Sequence, residues 1–359
     1  MEEYIAFDSH KHYTWVEREH IATGKLRQFR VDHAPGAIRR ALLGCAPGTP
    51  VAIEATANWY WIVEEIEQAG GSPRLTHPRK AKLMMGLINK TDRLDTHGMN
   101  VLQRNGTLPV VWIPPAKLRD LRELTRTRVV LVAQRTRWKN RITATLAKWG
   151  LPPSEYSDPY GKRARAEWEQ RIASLPEQTR WTLGKMLEQL DHLHAQIAAF
   201  EQRLDGLVEV TPDMQLLMSL PGVAVILSAT IALELGEVSR FAGAERFASY
   251  SGTVPRVHAS GDRVRFGRTR PDVNRYLKWA FAEAANSVAV NHRRFPERHV
   301  SQLYLRVRAR KGHPKAVGAV ARHLAEAAFH VLSRQQPYRD PADSSRRRSD
   351  QGGVSATRS

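Results

Sequence analysis

The chain has 359 residues and carries 55 Lys and Arg against 36 Asp and Glu, a formal charge of +19. Hydrophobic residues at 42% and charged residues at 25% match ordinary globular usage and exclude wholesale disorder. The charge surplus favours a polyanionic partner, because cationic side chains release condensed counterions from phosphate backbones.

In chain order, residues 4–7 read as a short buried strand ending at Asp8, and 13–16 and 26–31 as two more strands in a meander. A helix is predicted over 34–43, then a buried strand, Val51-Ala52-Ile53, running into Glu54. Helical spacing over 58–69, a Gly70-Gly71-Ser72-Pro73 turn and a strand over 74–77 complete the pattern. Strands followed by βα units imply a mixed sheet with helices on its faces, an α/β domain over 1–114. Residues 115–149 read as one long helix bearing Arg119, Arg122, Arg126, Arg128, Arg135, Arg137 and Arg141, either a solvated basic face or a phosphate-tracking surface. Pro152-Pro153 ends it, and 154–176 is a polar connection without clear pattern.

Leu183, Met186, Leu190, Leu193, Ile197, Phe200, Leu204 and Leu207 then repeat with spacings of three and four, the seam of a coiled coil. That seam pairs either with the preceding helix or with a second copy of the chain, so 115–212 is a helical coiled-coil middle. Residues 213–337 form a mostly α carboxy-terminal unit with a Gly- and Arg-rich irregular segment at 251–271, and 338–359 a disordered basic tail. The lone Cys45 excludes a disulfide framework and a Cys-based zinc site. The first residues lack the apolar core of a signal peptide, and the longest apolar run, 223–235, is shorter than the roughly 18 residues that span a bilayer, so a cytoplasmic protein with no membrane partner is expected.

Four carboxylates stand out by placement. Asp8 and Glu54 close apolar strands, and Asp92 and Asp95 share one face of a helix that Thr91 caps. Oxygen ligands converging in this way suit hard divalent cations such as Mg²⁺ (or Mn²⁺), which can clamp the attacking and leaving oxygens of phosphoryl transfer. Each acid also has a structural reading, as a turn former or a complement to the helix dipole. His97 could join them, though a helical surface position suits it better. Further along, Ser219-Leu220-Pro221-Gly222-Val223-Ala224 is like the start of a helix-hairpin-helix, where backbone N–H groups meet phosphate; packing alone is the alternative. Arg256, His258, Arg263, Arg265, Arg268 and Arg270 then crowd around Ser260-Gly261, which reads as a hairpin turn. With Lys90, the five arginines are candidate nucleic-acid contacts, since guanidinium groups neutralise phosphate by bidentate bonds. No Ser-His-Asp order or nucleophile elbow is present, which disfavours acyl transfer.

Asp8 in IAFDSHK, Glu54 in VAIEATANWYW and Asp92 with Asp95 in NKTDRLDT resemble the DEDD tetrad of a RuvC-like (RNase H-like) domain, in the order found in the insertion-sequence one-ten family of transposases. FASYSGTVPRVHASGDRVRFGR followed by NRYLKWAFAEAA is similar to that family's carboxy-terminal transposase domain, and its catalytic serine falls on Ser260 rather than Ser251. Thr96-His97 depart from the small residues common after the last aspartate. The resemblance, from about residue 4 to 337, implies a site-specific DNA recombinase that moves its own element. It implies a phosphoserine link formed by Ser260, Mg²⁺ (or Mn²⁺) held by Asp8, Glu54, Asp92 and Asp95, and a non-coding bridge RNA pairing with donor and target DNA. It also implies a homo-oligomer, dimer or tetramer, whose active sites combine domains of different protomers. Two other readings remain open from the residues: a RuvC-like junction nuclease, which needs the carboxylates but not Ser260, and a non-catalytic nucleic-acid-binding protein with structural acids.

Overall fold

Residues 3–86, 91–151, 156, 158–261 and 263–341 are described by a computed structural model, in which the chain forms two units, 1–114 and 115–359. In the first unit, β1 (Glu3–Ser9), β2 (Tyr13–His20) and β3 (Leu26–Asp32) form the expected antiparallel meander. The chain then passes through α1 (Ala37–Ala41) to β4 (Pro50–Glu54), which pairs parallel with β1, and through α2 (Trp59–Gln68) to β5 (Ser72–Thr76). The result is one mixed sheet in the order β3-β2-β1-β4-β5, followed by α3 (Pro78–Met85) and α4 (Asp92–Arg104).

Period-two alternation gives this sheet two unlike faces. Ile5, Phe7, Val16, Val51, Ile53 and Leu75 point to one side, where Ile38, Leu42, Ile62, Val63 and Ile66 of the helical segments complete an apolar core. Ala6 and Ala52, directly paired across β1 and β4, point to the other side and meet Met99 of α4. Two alanines leave a shallow floor, so α4 lies close to the strands. The same alternation puts Asp8 and Glu54, one pleat beyond these alanines, on the α4 face.

Polar pairs set the position of α4 along β2. Tyr13, Trp15, Glu17 and Glu19 meet Asp92, Arg93, His97 with Asn100, and Arg104 in that order. Twelve helical residues climb about 18 Å and six strand residues about 20 Å, so the two ladders stay in step.

In the second unit, α5 (Ala116–Lys148), α6 (Lys162–Ala173) and α7 (Glu177–Leu207) come first. The heptad seam packs within the chain: Leu183, Met186 and Leu190 bury against Ile142 and Leu146, and Arg128 near the other end of α5 donates to Glu201 Oε1 at 2.9 Å. Phe200 is half-buried and Leu207 exposed, so the seam closes from Leu183 to Ile197 and again at Leu204. Part of the segment expected to be a plain connection is α6, whose Ala164 and Trp168 join the same cluster. Three apolar residues four apart, Ala164, Trp168 and Ile172, are too sparse among charges to show as a helix in sequence.

Three arginines of α5 differ from either expectation, whereas Arg137 and Arg141 are exposed. Arg119 and Arg122 are buried. Arg122 donates to the Leu233 and Glu234 carbonyls at 2.7 and 2.9 Å, at the carboxy-terminal end of α9 (Val225–Leu235), where helix carbonyls lack partners. Arg126 clamps the fully buried Glu234 carboxylate at 2.6 and 3.0 Å. Part of the charge surplus is thus structural.

Around α9, the helices α8 (Pro212–Met218), α10 (Ala244–Tyr250), α11 (Arg275–Asn291), α12 (His299–Lys311) and α13 (His313–Arg334) enclose an alanine-rich core that includes Ala280, Phe281, Ala284, Ala285, Leu324 and Ala328. Gly222 has φ +81° and lies so near α11 that a Cβ there would sit 2.4 Å from the Ala284 carbonyl oxygen. The turn before α9 therefore serves packing. The segment read as irregular holds a two-stranded antiparallel hairpin, β6 (Pro255–Ser260) and β7 (Arg263–Thr269). Among the described residues, no helix is long and apolar enough to cross a membrane.

Candidate active site

Parallel pairing of β1 with β4 in the register Phe7↔Ile53 brings their terminal carboxylates side by side. Asp8, Glu54 and Asp95 line one cleft of about 220 Å³ with His10, Thr56, Lys82 and Met99. Thr91 caps α4 by accepting from the Leu94 N–H at 3.2 Å, and the cap fixes Asp92 and Asp95 in the first turn, above the strand ends. Asp92 reaches the same place through His10, whose Nε2 lies 3.3 Å from Asp92 Oδ2 and 3.2 Å from Asp8 Oδ2. Tyr13 donates its hydroxyl to Asp92 Oδ2 at 3.0 Å, which pushes the phenol pKa above its ordinary value.

The electrostatics strain the cleft. Burial raises the Asp8 carboxyl above the usual carboxylate range; His10 opposes the shift, and the charges of Asp92 and Asp95 add to it. A divalent cation would offset both the burial of this carboxyl and the like charges of Asp92 and Asp95. Two carboxylates and an imidazole, with ligand atoms all within 4.8 Å of one another at Asp8, His10 and Asp92, form a donor set that could hold such an ion.

The structure thus brings Asp8, Glu54 and Asp95 around one cleft, with Asp92 beside it at His10. His97 lies apart from it, with Nδ1 at 3.2 Å from the buried Glu17 carboxylate, which also accepts from Asn100 at 3.0 Å and Gln28 at 2.6 Å. Lys90 lies outside the described residues. Sequence reasoning missed His10, Tyr13 and Lys82. The signal for His10 was present, since residues 8 and 10 of an extended segment share one face.

Ser260 belongs to the second unit, at the last position of β6, and is exposed. Cross-strand pairing sets it opposite Arg263, and His258 opposite Arg265, so these four share one face of the hairpin. Arg256 approaches the same ribbon beside Gly267, and Arg268 is exposed on β7. Arg270, at the hairpin base, is bonded to Asp272 at 2.6 and 3.2 Å. The reverse face carries Val257, Ala259, Val264 and Phe266, all exposed.

Known proteins are similar to this chain in two stretches of sequence. Residues 6–149 match the family model for DEDD transposases of IS110 type, described simply as a transposase, and residues 214–300 match the model described as "Transposase IS116/IS110/IS902 family". The chain belongs to the IS110 family of transposases. Similar proteins include a "Probable family 20 transposase" of Pseudomonas aeruginosa, 25% identical over 67% of this chain and 72% of its own. The "Transposase for insertion sequence element IS1111A" of Coxiella burnetii is 22% identical over 70% of this chain and 69% of its own. The "Insertion element IS110 uncharacterized 43.6 kDa protein" of Streptomyces coelicolor is 31% identical over 40% of this chain and 34% of its own. Membership in the IS110 family implies a DNA substrate and the cutting and rejoining of DNA. DEDD transposases are typically metal dependent, in keeping with the donor set around Asp8.

Proposed function

We propose that this IS110-family transposase is a site-specific DNA recombinase that cuts and rejoins DNA through a phosphoserine link at Ser260. The observation that carries the reading is the convergence of Asp8, Glu54 and Asp95 on one cleft, with Asp92 joined to it through His10. The first unit is a RuvC-like domain in this reading; three antiparallel strands followed by two parallel ones in one sheet, with acids at the ends of β1 and β4, support it. Asp8, Glu54, Asp92 and Asp95 are the DEDD tetrad and would hold Mg²⁺ or Mn²⁺. When bound, the ions neutralise charge on the scissile phosphate and lower the cost of forming the attacking and leaving oxygens.

Each remaining step belongs to side chains of the chain. The Ser260 hydroxyl releases its proton to solvent as Oγ attacks the phosphorus, the bond from phosphorus to the leaving oxygen breaks, and that oxygen takes up a proton from solvent. Rejoining reverses these events, so the phosphodiester energy is kept and no nucleotide cofactor is consumed. Arg263 beside Ser260 and Arg265 beside His258 offer fork-shaped donors to the phosphate oxygens, with Arg256, Arg268 and Arg270 along the same ribbon. A non-coding bridge RNA would select donor and target DNA, and a homo-oligomer would complete each active site with parts of two protomers. The +19 charge supports binding of both nucleic acids.

Labelled element-junction DNA incubated with the full-length protein, its co-purified RNA and Mg²⁺ tests the proposal on a denaturing gel. Wild type is expected to give a protein–DNA adduct, and Ser260→Ala and Asp8→Asn none. Cleavage without an adduct in both wild type and Ser260→Ala would replace this reading with a metal-dependent junction nuclease.

A further inference from the structure

His10 was not among the residues that the sequence singled out, yet its ring lines the acidic cleft between Asp8 and Asp92. Its Nε2 sits 3.2 Å from Asp8 Oδ2 and 3.3 Å from Asp92 Oδ2, and it is buried with no hydrogen-bond partner. Both carboxylate oxygens are near enough to bond, but neither has the alignment of an N–H···O pair. The nitrogen and the two oxygens instead surround a common point. Cis ligands on an octahedral ion with bonds of about 2.1 Å are about 3.0 Å apart, and ligands on a tetrahedral ion about 3.4 Å. Separations of 3.2 and 3.3 Å fall between these values.

Neighbouring residues fix the ring in this place. The His10 N–H donates to the Tyr13 carbonyl at 2.8 Å, and the Asn58 amide donates to the His10 carbonyl at 2.8 Å, so the backbone is held from both sides. The ring packs on Tyr13 with centroids 4.6 Å apart, while Tyr13 donates to Asp92 Oδ2, the oxygen that faces His10. One tyrosine thus orients both the imidazole and the carboxylate. Groups that hold ligands in this manner ordinarily surround metal centres.

We propose that His10 is a metal ligand beside Asp8 and Asp92, and that it biases the cleft toward a first-row transition ion such as Mn²⁺ over Mg²⁺. The inference rests on the reading of the carboxylate cleft as the metal site. An all-oxygen tetrad suits Mg²⁺, a hard ion that keeps much of its water. An imidazole nitrogen adds a softer donor that transition ions accept more readily. The tetrad holds the charge, and His10 sets the preference.

Electron spin-echo spectroscopy of full-length protein loaded with Mn²⁺ alone reads this directly, because a bound imidazole imprints ¹⁴N modulation on the echo. Wild type is expected to show that modulation, and His10→Ala and His10→Gln to lose it. Titration should show Mn²⁺ binding weakened by about tenfold or more in His10→Ala, with Mg²⁺ binding changed by less than about threefold. Both variants are expected to melt close to wild type, since the ring is partly exposed, so lost modulation reports ligation and not unfolding. Mn²⁺ bound by wild type and abolished by Asp8→Asn, but without ¹⁴N modulation, would overturn the role of His10 and leave the cleft as the metal site. Mn²⁺ binding that Asp8→Asn does not affect, or no saturable binding, would overturn the reading of the cleft and this inference with it.

Discussion

Replacing Asn274 tests how the second unit holds the base of its hairpin. Asn274 Oδ1 accepts from the Tyr276 and Leu277 N–H groups, both at 3.0 Å, and so caps α11. Its Nδ2 donates to buried Glu234 at 2.7 Å and to the Tyr250 hydroxyl at 3.3 Å. Asn274→Ala removes a cap worth about 1 kcal/mol and a bond to a buried carboxylate worth about 1.5–3 kcal/mol, so about 3 kcal/mol in all. At roughly 2–4 °C per kcal/mol for a unit of this size, its melting transition falls by about 6–12 °C. Asn274→Asp separates capping from the network. Aspartate caps as well as asparagine, so capping alone predicts almost no change. Here, however, a carboxylate would replace an amide 2.7 Å from a fully buried glutamate, and like charges at that distance repel strongly. Asn274→Asp is therefore expected to melt below Asn274→Ala. Differential scanning calorimetry of the full-length chain at neutral pH reads both, and an Asp variant within about 2 °C of wild type would refute the network.

Asp8 gives a prediction of sign. Its folded-state pKa is raised, so the protonated form is favoured by folding; that stability is complete below the ordinary value and is lost as pH rises through the raised one. In metal-free protein, Asp8→Asn should match wild type near pH 4 and melt higher at neutral pH, whereas added Mn²⁺ should stabilise wild type alone; a lower metal-free melting point at neutral pH would contradict this. Glu17→Gln should do the opposite, because Glu17 is buried and accepts bonds from Asn100 and Gln28. An amide donor facing those donors is expected to cost about 1–3 kcal/mol in urea or thermal unfolding, with metal binding retained. Ser260→Ala removes an exposed hydroxyl, so melting should stay within about 0.5 kcal/mol of wild type while the DNA adduct disappears; a large loss of stability would mean that the serine is structural. Gly222→Ala places a methyl 2.4 Å from the Ala284 carbonyl oxygen at φ +81° and is expected to destabilise by at least about 2 kcal/mol, measured by thermal unfolding; a neutral result would show that the turn can move away from α11.

The first unit was largely legible because its information is local. Tyr4-Ile5-Ala6-Phe7 and Val51-Ala52-Ile53 announce buried strands by composition, and the Gly70-Gly71-Ser72-Pro73 turn marks where β5 begins. The parts that escaped depend on distant partners. Arg122 and Arg126 look like solvated charges on a basic helix, and only the fold brings the unpartnered carbonyls of α9 and the Glu234 carboxylate to them. Helix α6 escaped for the reverse reason: its three apolar residues matter only once Ile142 and Leu183 provide a surface to bury them. The 251–271 segment kept its turn, legible at Ser260-Gly261, while its flanking strands were masked by arginines that point into solvent.

The candidate site shows the same division more sharply, because one face of the sheet carries acids with two different roles. Glu17 and Glu19 on β2 share the sheet face of Asp8 and Glu54. In the fold their charges are engaged, Glu17 by Asn100, Gln28 and His97, and Glu19 by Arg104, and these bonds seat α4 on the sheet. Seating α4 carries its first turn past the strand ends, where Asp92 and Asp95 meet Asp8; among the described residues no arginine or lysine bonds to Asp8 or Asp92, and His10 bridges those two. The structural glutamates thus create the position at which the remaining carboxylates repel one another, and that repulsion makes a divalent cation the natural counter-charge. The acids of this sheet face are therefore read by what neutralises them: side-chain donors for Glu17 and Glu19, which build the interface, and a shared imidazole for Asp8 and Asp92.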